Sequence, residues 1–224
     1  MESLKIIPEA KEALPWEGKV CNCLGDSITY GYDPDDPSGR LDNPWPSQLE
    51  KLCGFSKVNN YGISGDTVAK FEGKNSMSKR YVDMEQADVI IFKGGVNDFS
   101  LDVPLGTFDP NSTDTTNYYG ALNVIFKGLL VKYPTSSIMV MTQLDWINGD
   151  IPNANGNKLE EFREAVREVA KYYCIPVFEL ALEAGFTPKI EGQKTALIPD
   201  GLHPNQAGVN IMARKISKYV NNRL

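Results

Sequence analysis

Ser27 stands in Asn22-Cys-Leu-Gly-Asp-Ser-Ile-Thr-Tyr-Gly31, where a short apolar run ends. A serine hydroxyl is a weak nucleophile until a base takes its proton. The chain holds one histidine, His203, in Asp200-Gly-Leu-His-Pro204. That Gly/Pro-broken segment is a turn rather than a helix interior, and a turn can bring positions i and i+3 together. Asp200 could then accept the proton on one ring nitrogen and leave the other free as an acceptor, as a general base requires. The serine needs a base, and the oriented histidine needs a proton to take.

Two further stretches could complete such a site. Gly94-Gly-Val-Asn-Asp98 follows an apolar run, and the Asn97 amide there could offer an N–H to a developing oxyanion. In Asn60-Tyr-Gly-Ile-Ser-Gly-Asp-Thr67, Gly65 lets a backbone N–H approach a ligand closely, and Asp66 or Thr67 is expected to cap the next helix. Each stretch also has a plainer reading: Asp26 or Ser27 as a helix cap, and the Gly/Asn-rich segment as a turn. The serine is not in a G-x-S-x-G elbow, because Thr29 stands where the second glycine would be.

These residues must be held by regular elements. Short β-branched runs predict strands over 19–24, 57–60, 88–92, 137–142 and 175–178. Apolar residues at helical spacing predict helices over 46–53, 117–133, 158–173 and 205–220. Alternating strands and helices imply an α/β fold with a parallel sheet covered on both faces. Sites in such sheets lie at the C-terminal ends of the strands, where all four stretches fall.

The 224 residues, 42% hydrophobic and 23% charged, suit one soluble domain over 1–224, with no internal repeat or low-complexity linker. The net charge of -6 argues against nucleic acid or an anionic membrane surface as partner. No apolar run approaches the roughly 18 residues of a membrane span. No signal peptide is visible in the N-terminal segment, so the expectation for the sequence as given is a cytoplasmic protein, with a secreted one the alternative if the natural chain carries a leader. The cysteines at 21, 23, 53 and 174 are expected to be buried free thiols, and no nucleotide-binding glycine motif occurs.

Together, GDSIT at 25–29, the glycine in GISGDT at 62–67, GVND at 95–98 and DGLHP at 200–204 resemble the SGNH (GDSL) hydrolase superfamily. The resemblance implies a flavodoxin-like three-layer α/β/α sandwich of about five parallel strands. It implies that Ser27 is the nucleophile, His203 the base and Asp200 its orienting partner. The N–H groups of Ser27 and Gly65 and the Asn97 amide would form the oxyanion hole, with Gly62 an alternative to Gly65. No metal or organic cofactor is implied, and the oligomeric state is left open.

The connections at 30–45 and 143–157 are polar and aromatic, unlike an apolar lid for long acyl chains. Tyr30, Tyr32, Trp45 and Trp146 could stack on sugar faces. The expectation is therefore an esterase for short acyl groups, acetyl esters on a carbohydrate foremost. One alternative is a lysophospholipase or thioesterase for longer chains. An alternative of another class is a non-catalytic carbohydrate-binding module, which loss of Ser27, Asn97, Asp200 or His203 would have favoured.

Overall fold

The computed structural model describes residues 14–36 and 38–224; the first 13 positions, on which the signal-peptide reading rests, lie outside them. Five parallel strands form one sheet: β1 (Val20–Gly25), β2 (Lys57–Gly62), β3 (Val89–Lys93), β4 (Ser137–Met141) and β5 (Val177–Phe178). Their order, β2-β1-β3-β4-β5, places a topological switch point between β1 and β3. Each predicted strand is present, with ends shifted by no more than two residues. β5 begins later than expected because Pro176 has no N–H to donate, although its carbonyl still accepts from Val140.

Period-two alternation divides the core between the two faces of the sheet. Ile90, Phe92, Ile138 and Val140 face one way, towards α5 (Tyr118–Lys132) and α6 (Leu159–Tyr172). Val89, Ile91, Met139 and Met141 face the other, towards α2 (Trp45–Cys53) and α9 (Gln206–Arg223). The resulting α/β/α sandwich matches the fold expected. Among the described residues, no helix is long and apolar enough to cross a membrane.

Shorter helices complete the connections: α1 (Ser27–Tyr30), α3 (Met77–Arg80), α4 (Val96–Ser100), α7 (Leu180–Glu183) and α8 (Glu191–Leu197). α1, α3 and α4 each span one turn or little more, too short for an apolar period to appear in sequence. Cys21, Cys23 and Cys53 are buried free thiols. Cys174 departs from expectation: it is exposed, at φ +56, where the chain leaves α6 and turns towards β5.

Candidate active site

The C-terminal ends of β1, β2 and β3 are level, with Gly25 opposite Gly62 on one side and Lys93 on the other. At this edge the chain leaves β1 by a turn so tight that a Cβ on Gly25 would lie 2.1 Å from Thr29 Oγ1 and 2.8 Å from the Lys93 carbonyl. Asp26 caps α1, its Oδ1 accepting from the Ile28 N–H at 3.0 Å. Ser27 is thereby fixed as the first residue of α1, with 5% of its surface exposed. Both Asp26 oxygens also accept from Lys93 Nζ, at 3.0 and 2.9 Å, and neither side chain reaches solvent. Burial pushes the Lys93 ammonium below its ordinary value, and Asp26 opposes that shift.

His203 approaches from the segment between α8 and α9. Asp200 Oδ1 accepts from the backbone N–H groups of Leu202 at 2.9 Å and His203 at 2.7 Å, an Asx turn of the kind a Gly-broken segment favours. Asp200 Oδ2 lies 2.6 Å from His203 Nδ1, and His203 Nε2 lies 2.9 Å from Ser27 Oγ. A carboxylate only accepts, so Nδ1 donates to Asp200 and Nε2 is left to accept from the Ser27 hydroxyl. Burial raises the Asp200 pKa, but the ring and the two backbone N–H groups outweigh it and hold the carboxyl below its ordinary value. Tyr32 packs against the imidazole, with ring centroids 4.5 Å apart.

The other two stretches converge on the same edge. Gly95, at φ +118, has no space for a side chain, since a Cβ would meet the Tyr118 hydroxyl at 2.2 Å. The chain then enters α4, and Asn97 Nδ2 donates to the Asp66 carbonyl at 2.8 Å, leaving its second N–H. The backbone N–H groups of Ser27 and Gly65 have no protein acceptor among the described residues, whereas the Gly62 N–H donates to Asn60 Oδ1. Gly62 instead lets β2 and α1 touch, as its Cβ would lie 2.1 Å from the Tyr30 nitrogen.

Asp66 and Thr67 do not cap a helix. The next helix, α3, starts ten residues after Thr67, at Met77. Thr67 Oγ1 donates to the Ala69 carbonyl at 2.7 Å, and the Asp66 carboxylate pairs with Arg80. Burial raises the Asp66 pKa to about 6 despite that pairing. Asp98 Oδ2 and Oδ1 accept from the Val68 and Ala69 N–H groups at 2.9 and 2.8 Å, tying the loop after Gly65 to α4. Burial takes this carboxyl to about 7, against the pull of those N–H groups.

The proposed stacking aromatics separate. Trp45 is fully buried in the core beneath α2 and can touch no substrate; an aromatic beside a polar loop gave no sign of its inward direction. Tyr30 is half-buried with the Arg40 guanidinium 4.7 Å above its ring. Trp146, half-buried, stands edge-on to Phe99 at 5.7 Å and lines an open cleft of about 260 Å³ with Ser100, Asn148 and Ile151. Arg80 and Lys93 were not anticipated. Lys93 had one signal, a lysine closing the apolar run Val89-Ile-Ile-Phe92.

Residues 23–211 match the GDSL-like Lipase/Acylhydrolase family, which takes in each of the converging stretches. The chain belongs to that family. Family membership makes this GDSL-like protein an ester hydrolase. It superposes on a protein from Lactobacillus plantarum, 29% identical, with a TM-score of 0.80 over 93% of this chain and 99% of that one. A lipase/acylhydrolase from Enterococcus faecalis is 21% identical, TM-score 0.65, covering 92% and 97% of the two chains. A carbohydrate acetylesterase family member from Sinorhizobium meliloti is 23% identical, TM-score 0.62, covering 90% and 97%. With these last two the likeness is one of fold. No curated protein matches the chain.

Proposed function

We propose that this GDSL-family protein is a serine esterase that removes short acyl groups, acetyl foremost, from a carbohydrate through an acyl-enzyme. The observation that carries the reading is the continuous chain from Ser27 Oγ through His203 to Asp200, with links of 2.9 and 2.6 Å. As Ser27 attacks the ester carbonyl, its proton passes to His203 Nε2, and Asp200 stabilises the imidazolium that forms. The tetrahedral oxygen takes hydrogen bonds from the Ser27 and Gly65 N–H groups and the free Asn97 N–H, so negative charge meets donors already in place. Collapse returns the proton from His203 to the departing alcohol. Water then attacks the acyl carbon as its proton passes to the same nitrogen, and when the bond to Ser27 Oγ breaks that proton goes to the serine oxygen as the acid leaves.

The substrate class is supported by the surroundings of the site. The cleft beside Trp146 opens next to α4, one helical turn beyond Asn97, and mixes the apolar Phe99, Ile151 and Pro152 with the polar Ser100, Asn148 and Asn153, as a sugar with an apolar face and hydroxyl edges would require. Cavities of about 250 and 290 Å³ elsewhere are lined by Ser136, Ile138, Val20 and Asp88, at the opposite edge of the sheet. A long acyl chain needs an apolar tunnel, in which each buried CH₂ contributes about 0.8 kcal/mol. The test is kcat/KM across a series of acyl esters and acetylated sugars, with Ser27→Ala as the control. The expected maximum is at acetyl to butyryl, with all turnover lost in Ser27→Ala. A preference for palmitoyl over acetyl would make the protein a lysophospholipase or thioesterase instead.

A further inference from the structure

The groups assigned to the oxyanion hole arrive on separate strand–helix connections: Ser27 after β1, Gly65 after β2 and Asn97 after β3. Stabilising a tetrahedral oxygen depends on where these donors stand relative to one another. We propose that Arg80 is the positioning residue that holds them in register, an inference that rests on the esterase reading above.

Arg80 ends α3 and points back under the sheet edge, with 16% of its side chain exposed. Its Nη2 donates to the Gly25 carbonyl at 2.8 Å, two residues before Ser27. Its Nη1 donates to the Tyr61 carbonyl at 2.6 Å, near the end of β2. Nε and Nη2 also meet the Asp66 carboxylate, one residue after Gly65. The Asp66 carbonyl in turn accepts from Asn97 Nδ2 at 2.8 Å. One planar group therefore reaches the turn of Ser27 and the loop of Gly65 directly, and Asn97 through Asp66.

This task suits arginine in particular. A guanidinium presents five donors in a fixed plane, so several acceptors on different segments can be bound at set angles. A lysine ammonium is a compact charge on a flexible stem and cannot reproduce that fork. The pairing is also tight. The Asp66 side chain is inaccessible to solvent, and its Oδ1 has no hydrogen-bond partner among the described residues. A buried carboxylate held by one cation draws the Gly65 loop onto Arg80, because no water replaces that partner. Arg80 lies behind the donors and acts through Gly25 and Asp66, without touching the reacting atoms.

Arg80→Lys should lower kcat on an acetyl ester by roughly 10–100-fold, the scale of an ångström-sized misplacement of reacting groups, with KM within about twofold. Phenylboronic acid, which forms a tetrahedral adduct with a reactive serine, is the second readout. Its affinity should fall in step with kcat, because the adduct needs the same donors. A residue serving only stability would lower the melting temperature and leave both numbers unchanged in the folded protein. Asp66→Asn is the second variant in case Arg80→Lys does not fold. It keeps the Arg80 bonds to Gly25 and Tyr61, and should lower kcat and boronate affinity together by at least about 3-fold. Wild-type kcat and boronate affinity in either folded variant would overturn the proposal while the esterase reading stands. Wild-type hydrolysis that survives Ser27→Ala would overturn both.

Discussion

Replacing Lys93 with methionine removes the cation from a pair that is sealed from solvent on both sides and keeps most of the aliphatic stem in place. In the wild type the two Asp26 oxygens accept from Lys93 at 3.0 and 2.9 Å, and one of them also takes the Ile28 N–H. Without the ammonium, the carboxylate keeps that single N–H as its partner. Removing one partner of a buried ion pair typically costs about 3–5 kcal/mol, a large share of the roughly 5–15 kcal/mol that holds a domain together. For a chain of this size the same loss lowers Tm by about 6–20 °C. The variant Lys93→Met/Asp26→Asn removes the stranded charge as well, so it should recover about 2 kcal/mol or more relative to the single change. Urea unfolding of the wild type, both single variants and the double variant closes the cycle. A cost below about 1 kcal/mol for Lys93→Met, or a double variant equal to the sum of its parts, would refute the argument.

Asn97→Ala should lower kcat by roughly 10²–10³ with KM little changed, and a change confined to KM would make Asn97 a substrate contact. Trp45→Ala should cost about 3–5 kcal/mol in chemical denaturation, with kcat/KM unchanged in the folded fraction. Trp146→Ala should weaken an acetylated sugar more than a simple aryl acetate, and equal effects on both would remove Trp146 from the sugar contact. Asp66 and Asp98, raised by burial to about 6 and about 7, give the fold a pH dependence of known sign. Between about pH 4 and pH 6 for Asp66, and between about pH 4 and pH 7 for Asp98, the native state keeps protons that the unfolded chain has released. Their contribution to stability therefore falls as pH rises through those windows, by up to about 1.4 kcal/mol per pH unit for each carboxyl. Asp98→Asn should make the slope of stability against pH less negative there, and identical slopes would count against a protonated Asp98. Chelators should leave ester hydrolysis unchanged, as inactivation would point to a metal hydrolase.

Periodicity located what repeats over several turns or along a pleat. The strands in β1 to β4 carry apolar residues on both faces, and helices α5 and α6 are long enough for their inward stripe to show. What it could not locate was decided by distant partners. Asp66 carries the local signature of a cap, yet Arg80, fourteen residues on, takes its carboxylate instead. Lys93 closes an apolar strand, but its reason is Asp26, 67 residues away. Trp45 sits among loop-forming residues, and only the packing of α2 against α9 turns it inward. The Ser27, His203 and Asp200 positions could be singled out because the chain offers one histidine, with an aspartate three residues before it. Chemical need narrowed the choice where pattern could not.

The Asp200 turn has a consequence for how such a site comes together. Both carboxylate oxygens are used within four consecutive residues, Oδ1 on two backbone N–H groups and Oδ2 on the ring. The imidazole thus acquires its tautomer and its aim from its own segment, as soon as that turn forms. Only the bond from Ser27 to His203 spans the chain, across 176 residues. Assembly of the relay then requires a single long loop closure rather than two independent ones, and loop closure is the entropic obstacle for distant contacts. Displacing the histidine-bearing turn would break its bond to Ser27 while leaving the contacts of Asp200 to the ring in place.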